Sequence, residues 1–229
     1  LNEVDPNAAV PQEIRATTHS NHWQLGEPDL MRRLQPITIE AGATDAVKRT
    51  VLDLGLTSRR QVRGLEFMPG NRRVVRAAVF SLEGTGQWLG SWTPWHSFVS
   101  LPSGVVYQLP ARSRIVIDIH YRGASEAAVD RSALGVSFAS LPESKAASEL
   151  VLDARPIDGS RALRGAAKLT GDTRIWAIQP EIVPGLSSLE VSARRPDGGT
   201  EVLLALTQPS VEWPTPYLLK RARLLARGT

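Results

Sequence analysis

From Arg114 to Tyr121 the chain reads R-I-V-I-D-I-H-Y, and this alternation restricts the fold more than any other feature. Side chains two apart share a face of a strand, so Ile115, Ile117 and Ile119 point one way while Val116, Asp118 and His120 point the other. The segment is therefore predicted to be a half-buried strand, with His120 beside Asp118 on its second face. Residues 73–80 are apolar apart from Arg73 at the start and Arg76, which predicts another strand. Residues 63–68 lead into Pro69-Gly70-Asn71, a strong turn signal.

The remaining chain follows the same pattern. Short strands are predicted at 37–40 and 48–54 around a turn at 41–45, and a closing strand at 130–138. Residues 84–102 read as a Gly/Trp-rich loop carrying Trp88, Trp92, Trp95 and His96. The polar Pro/Ser/Ala-rich stretch 141–147 reads as a domain boundary. Beyond it, strand signals fall at 149–152, 162–169, 175–178, 188–193 and 202–205. Turns are predicted at Asp158-Gly159, Gly171-Asp172 and Pro196-Asp197-Gly198-Gly199. Residues 217–226 have the composition of a short helix, but no long helical period occurs. The expected fold is all-β: an extended arm over 1–22, a first β-sandwich over 23–142 and a second over 147–229.

At 229 residues the chain can bury a core in one large or two small domains. No apolar run approaches the roughly 18 residues that span a bilayer, so no transmembrane segment is expected. The absence of cysteine excludes disulfides, thiolate metal sites and cysteine nucleophiles. The first residue is leucine, which reads as a processed or trimmed chain. Net charge is +4, and the basic residues gather at Arg59-Arg60-Arg63, Arg72-Arg73-Arg76 and Lys220-Arg221-Arg223-Arg227. They read as solvated surface, or as docking sites for an acidic protein or an anionic membrane. No aromatic pattern for base stacking accompanies them, so nucleic acid is not an expected partner. Gly-rich phosphate loops, nucleophile elbows and H-E-x-x-H motifs are all lacking.

Several separated motifs occur in one order: W-Q-L-G-E-P-D-L from Trp23, P-G-N-R-R-V-V from Pro69, H-Y at His120 and D-R-S-A-L-G-V-S-F from Asp130. Together they resemble the copper type II, ascorbate-dependent monooxygenases, the peptidylglycine α-hydroxylating and dopamine β-hydroxylating enzymes, and above all their bacterial relatives. The resemblance implies two consecutive jelly-roll-like antiparallel β-sandwiches. It also implies that relatives continue past Gly228-Thr229, leaving the second sandwich incomplete. In that family two adjacent histidines follow P-G-N-x-x-V-V and bind one copper together with the H-Y histidine. Here the matching positions are Arg76, Ala77 and His120. The second copper is held in the family by P-H-M-H-x-x-G and a later methionine, whereas this chain has Glu181 and Val183 at the matching histidine positions.

A lone imidazole does not make a copper site. The Arg76 guanidinium only donates hydrogen bonds. A unit positive charge about 4 Å from a divalent ion would cost about 8 kcal/mol at an effective dielectric near 20. Copper is thus not an expected cofactor, and an Arg76–carboxylate pair is the expected occupant of that position. His19 and His22, and His96 with His120 and Glu181, remain formal ligand sets. The resemblance implies an exported, periplasmic protein. Because the bacterial relatives are often joined to c-type cytochrome domains, the expectation is a non-catalytic accessory subunit. Its partner would be a cytochrome-containing, membrane-associated electron-transfer complex of respiration or photosynthesis. The alternatives are a copper monooxygenase with rearranged ligands and a sandwich that binds a carbohydrate or other small apolar ligand through Trp88, Trp92 and Trp95. Candidate contact residues are these tryptophans, His96, Arg59, Arg60, Arg72 and Arg73.

Overall fold

The computed structural model describes residues 22–96, 98–140, 145–210 and 216–229. The expectations placed on the N-terminal arm, on His19 and on residues 211–215 lie outside the described residues. Among the described residues there is no helix. The chain is an all-β protein, and its larger part is a β-sandwich.

One sheet of the sandwich contains β3 (Ala46–Asp53), β9 (Arg114–Tyr121), β5 (Val75–Leu82) and β6 (Trp88–Trp92), antiparallel and in that order. The other runs β1 (Leu30–Arg33), β11 (Ala133–Phe138), β4 (Arg60–Met68), β8 (Val105–Leu109) and β12 (Lys145–Ala146). The short β7 (Phe98–Ser100) pairs with the C-terminal half of β4, beyond β8. A ribbon of β2 (Ile37–Ile39) and β10 (Ala128–Asp130) lies beside these sheets. All pairs are antiparallel except β12 with β8.

Alternation decides which faces meet. Ile115, Ile117, Ile119 and Tyr121 of β9 are buried. They join Phe80 and Leu82 of β5, Leu65 and Phe67 of β4, and Leu134 and Val136 of β11 in one apolar core. At about 25 cal/mol per Å² of buried apolar area, this shared core is the main source of stability. Two glycines let neighbours approach. A Cβ on Gly90 would lie 2.8 Å from the Phe80 ring, and one on Gly135 would lie 2.8 Å from the indole of Trp23. Gly135 is thus where the W-Q-L-G-E-P-D-L segment lies on the sheet. Glu66, buried on β4, fixes the segment by accepting the main-chain N–H groups of Gln24 at 2.7 Å and Leu25 at 3.0 Å.

One end of the sandwich is tied by a buried carboxyl group. Asp130, 1% exposed, accepts the Asn71 amide at 2.9 Å, the Tyr121 hydroxyl at 2.8 Å and the Ser132 hydroxyl at 2.7 Å. Ser132 Oγ in turn accepts the Gly70 amide at 3.2 Å. The P-G-N turn, the H-Y strand end and the D-R-S segment therefore meet at one residue.

Beyond residue 149 the structure thins. The elements are ribbons: β13 (Arg155–Pro156) with β14 (Leu163–Arg164), β15 (Thr173–Ile178) with β18 (Tyr217–Leu225), and β16 (Ser188–Arg194) with β17 (Thr200–Thr207). Their buried core is Leu169, Ala193 and Leu225, with Ile175 and Leu203 packed against it. Trp176 of β15 instead packs on the core of the first sandwich.

Several expectations need correction. Residues 84–102 contain β6 and β7 rather than one loop. Gly90 had read as a loop residue, but it makes room for Phe80 inside a strand. Residues 149–152 form no strand; Glu149 instead accepts the main-chain N–H of Trp88 at 2.8 Å, tying this stretch to β6. The predicted strand 162–169 shrinks to Leu163–Arg164. Residues 217–225 are a strand despite their helix-favouring composition, because β15 supplies a pairing edge.

Replacing Asp130 by alanine should strand the Asn71 amide and the Tyr121 hydroxyl, at about 1–3 kcal/mol each. The expected outcome is a stability loss of about 3–5 kcal/mol in denaturant titrations, and a melting point lower by roughly 10 °C. A loss under about 1 kcal/mol would show that solvent replaces the carboxylate.

Candidate functional site

The outer face of the β3-β9-β5-β6 sheet carries the residues singled out around His120. Ala77 is the cross-strand partner of His120, and Val47 faces it from the other side. The pairing slips between Val75 and Ala77, which makes Arg76 the extra residue of a β-bulge. The bulge explains how one charged residue fits an otherwise apolar central strand: Val75, Ala77 and Ala78 are buried while the Arg76 side chain is partly exposed. Its guanidinium pairs with Asp45 at 3.0 Å. Asp45 also accepts the Gly123 amide at 2.7 Å, so the acid is held from two sides.

Two residues along the strand from His120, on the same face, Asp118 is gripped by Arg49 with two hydrogen bonds of 2.7 and 2.8 Å. With Arg49 largely exposed, this pair contributes at most about 1 kcal/mol. The charged groups are set in a partly apolar surface, since Val47 is 55% and Val51 39% exposed. Burial pulls the His120 pKa below the ordinary 6.5; Asp118 opposes this shift and Arg76 reinforces it. At neutral pH the site holds a guanidinium, a methyl group and a neutral imidazole. Such a set does not fit copper.

Glu181 and Val183 lie in the turn region between β15 and β16, where both are exposed and the Leu186 amide bonds the Val183 carbonyl at 3.2 Å. Among the described residues, no three His, Cys, Asp or Glu side chains come together as a metal site. His96, His120 and Glu181 are therefore not brought together. His22 is exposed.

The tryptophans separate by role. Trp92 is 1% exposed, with its ring 6.0 Å from that of Phe67 and the Arg72 guanidinium 5.7 Å from its centroid. It is a core residue, and this corrects its candidacy as a ligand contact. Trp88 is half-buried, and its indole nitrogen has no hydrogen-bond partner. Trp95 is 75% exposed at the tip of a tight turn. Thr93 and His96 close that turn through reciprocal main-chain hydrogen bonds of 2.8 and 3.1 Å. Pro94 at its second position suits the turn and projects Trp95. His96 is half-buried, its Nε2 lacks a partner, and burial lowers its pKa.

The arginine candidates occupy opposite ends of the sandwich. Arg59 and Arg60 lie at the start of β4, where Arg60 stands 5.4 Å from the Phe138 ring centroid and Arg63 bonds the Phe138 carbonyl. Arg72 and Arg73 follow the end of β4, roughly 27 Å away at about 3.3 Å per residue. Sequence reasoning missed Arg33, Arg122 and Arg131, which the topology brings to the same end as Arg72 and Arg73. Arg122 and Arg131 stand singly in the sequence and Arg33 has only Arg32 beside it, so local clustering gave no signal.

No protein-family model matches the chain, and no curated protein is significantly similar to it in sequence. No described helix is long and apolar enough to cross a membrane.

Two measurements test these assignments. Trp92→Ala should cost about 3–5 kcal/mol of stability, whereas Trp95→Ala should stay within about 0.5 kcal/mol in the same denaturant series. In an NMR titration, His96 and His120 should both show midpoints below 6.5. Their folded-state values lie below the unfolded ones, so the unfolded chain takes up protons first. Stability should be full above about pH 6.5 and decline as the pH falls through that value. A midpoint above 6.5 for either ring would refute burial as the dominant influence.

Proposed function

We propose that the chain is a non-catalytic, architectural subunit on a scaffold resembling the copper type II monooxygenases. In this reading it is exported and docks onto a membrane-associated electron-transfer assembly containing c-type cytochrome. The observation that carries it is the pairing of Ala77 with His120 beside the Arg76–Asp45 ion pair. These positions match the family's three-histidine copper site, and they are neighbours here although 43 residues separate Ala77 from His120 in the sequence. A salt bridge and a methyl group now stand where the resemblance implies two imidazoles. The cationic guanidinium opposes a divalent ion through simple Coulomb repulsion.

Docking is supported by the second half of the chain. Leu150, Val151, Leu163, Val202, Leu218 and Leu224 are each at least 50% exposed. The ribbon strands β16 and β17 pair only with each other, leaving their outer edges open among the described residues. Exposed apolar side chains and open strand edges are features that partners cover. The association with c-type cytochrome rests on the bacterial relatives named above.

Two experiments test the reading. Elemental analysis of protein from its native host should find no stoichiometric copper, with cytochrome or membrane subunits co-purifying; stoichiometric copper would overturn it. The double substitution Arg76→His/Ala77→His should create a copper site that the parent chain lacks, read by calorimetry and electron paramagnetic resonance. A double variant that folds but gains no copper would refute the correspondence with the family's site.

A further inference from the structure

The two sheets end together at the Asp130 network, and several loops emerge there. Strand pairings fix this arrangement: Arg33 pairs with Ala133, Ala133 with Met68, and Tyr121 with both Val75 and Ala46. The Thr93–His96 turn extends toward the same end, because Trp92 pairs with Ala78 near the start of β5 and Phe98 with Glu66 near the end of β4. Trp95 thus shares this end with Arg33, Arg72, Arg73, Arg122 and Arg131. Arg33, Arg73, Arg122 and Arg131 are exposed, and among the described residues none forms an ion pair. Of the exposed acids in these loops, Asp45 is paired with Arg76, while Glu40 and Glu126 flank the opposite end of the β2–β10 ribbon from Asp130 and Arg131.

We infer that this end is a protein-docking face, with Trp95 as its anchor and the surrounding arginines as the complement of an acidic partner surface. The inference rests on the docking reading above and names the surface and the chemistry it recognises. A projecting indole beside guanidinium groups is the composition of an interface hot spot, where Trp and Arg dominate. Planar guanidinium groups match carboxylates in a two-point geometry that ammonium groups lack.

Fixed polar groups favour a protein over a lipid surface. Arg72 is held over Trp92, the Trp95 turn is closed by two main-chain hydrogen bonds, and the half-buried His96 ring anchors the turn with its Nε2 inside the protein. A rigid array gains most from a partner whose carboxylates are also fixed, because little ordering entropy is lost on binding. A fluid headgroup layer offers no such registry.

The test places the photocrosslinker p-benzoylphenylalanine at position 95 or, as control, at position 151, in the full chain expressed in its native host. Val151 is similarly exposed, at 74%. Position 95 is expected to crosslink to one protein through a segment rich in Asp and Glu. Arg73→Glu/Arg131→Glu in the same chain should reduce that adduct at least about tenfold. The same double reversal should leave the melting temperature unchanged, since both side chains are exposed. An adduct insensitive to charge reversal overturns the proposal. Lipid adducts, or binding of the purified chain to vesicles rich in phosphatidylglycerol, would assign the face to a membrane instead. Protein adducts from 151 but not from 95 would refute this face while leaving the docking reading intact. Protein adducts from neither position would overturn both.

Discussion

The Asp130 carboxyl group is the constraint on which the upper end of the sandwich depends. A carboxyl group cut off from water is costly unless its oxygens are satisfied, and here the donors come from three separate segments. Each segment leaves a different strand: Asn71 follows β4, Tyr121 ends β9, and Ser132 precedes β11. Burial and the bond to Asp130 also push the Tyr121 phenol pKa well up, so the ring stays a neutral donor. Losing one donor would expose the others to the same imbalance, which makes the network act as a unit. The loop positions at this end, the arginines and the Trp95 turn included, follow from how these strands terminate.

Against that rigid end, the His120 face is an exercise in charge pairing on an apolar ground. The bulge at Arg76 lets a cation leave a buried central strand, and Asp45 meets it. Arg49 does the same for Asp118. The face thus satisfies its own charges and leaves His120 neutral. The second half of the chain is built differently. Its ribbons share three buried residues, and a two-stranded ribbon alone is marginal in water. Contact through Trp176 with the first core, and through Glu149 with β6, lends it support from outside.

Much of the sandwich was legible because β periodicity is local. The inward set Ile115, Ile117 and Ile119, the turn at Pro69-Gly70-Asn71 and the strands near 48–54 and 188–193 follow from spacing and turn chemistry alone. The failures have a common cause. Gly90 and its flanking tryptophans read as loop because the Phe80 ring that requires the glycine lies in another strand. Residues 217–225 carry a helix-favouring composition and no local strand signal, because the edge of β15 that pairs them is distant in sequence. The strand signal at 149–152 went unfulfilled because those residues lack a partner strand.

The candidate site divides in the same way. The all-β class, the amphipathic faces and the residue types at Arg76, Ala77, His120, Glu181 and Val183 can be read from the chain alone. These depend only on side-chain identity and a two-residue period. That Ala77 faces His120, that Asp45 answers Arg76, that Trp92 is core while Trp95 is exposed, and that five arginines share one end emerges only with the folded arrangement. Those facts arise from strand register and burial. Both are set by which distant strands pair, and that is decided when the two sheets close over a common core.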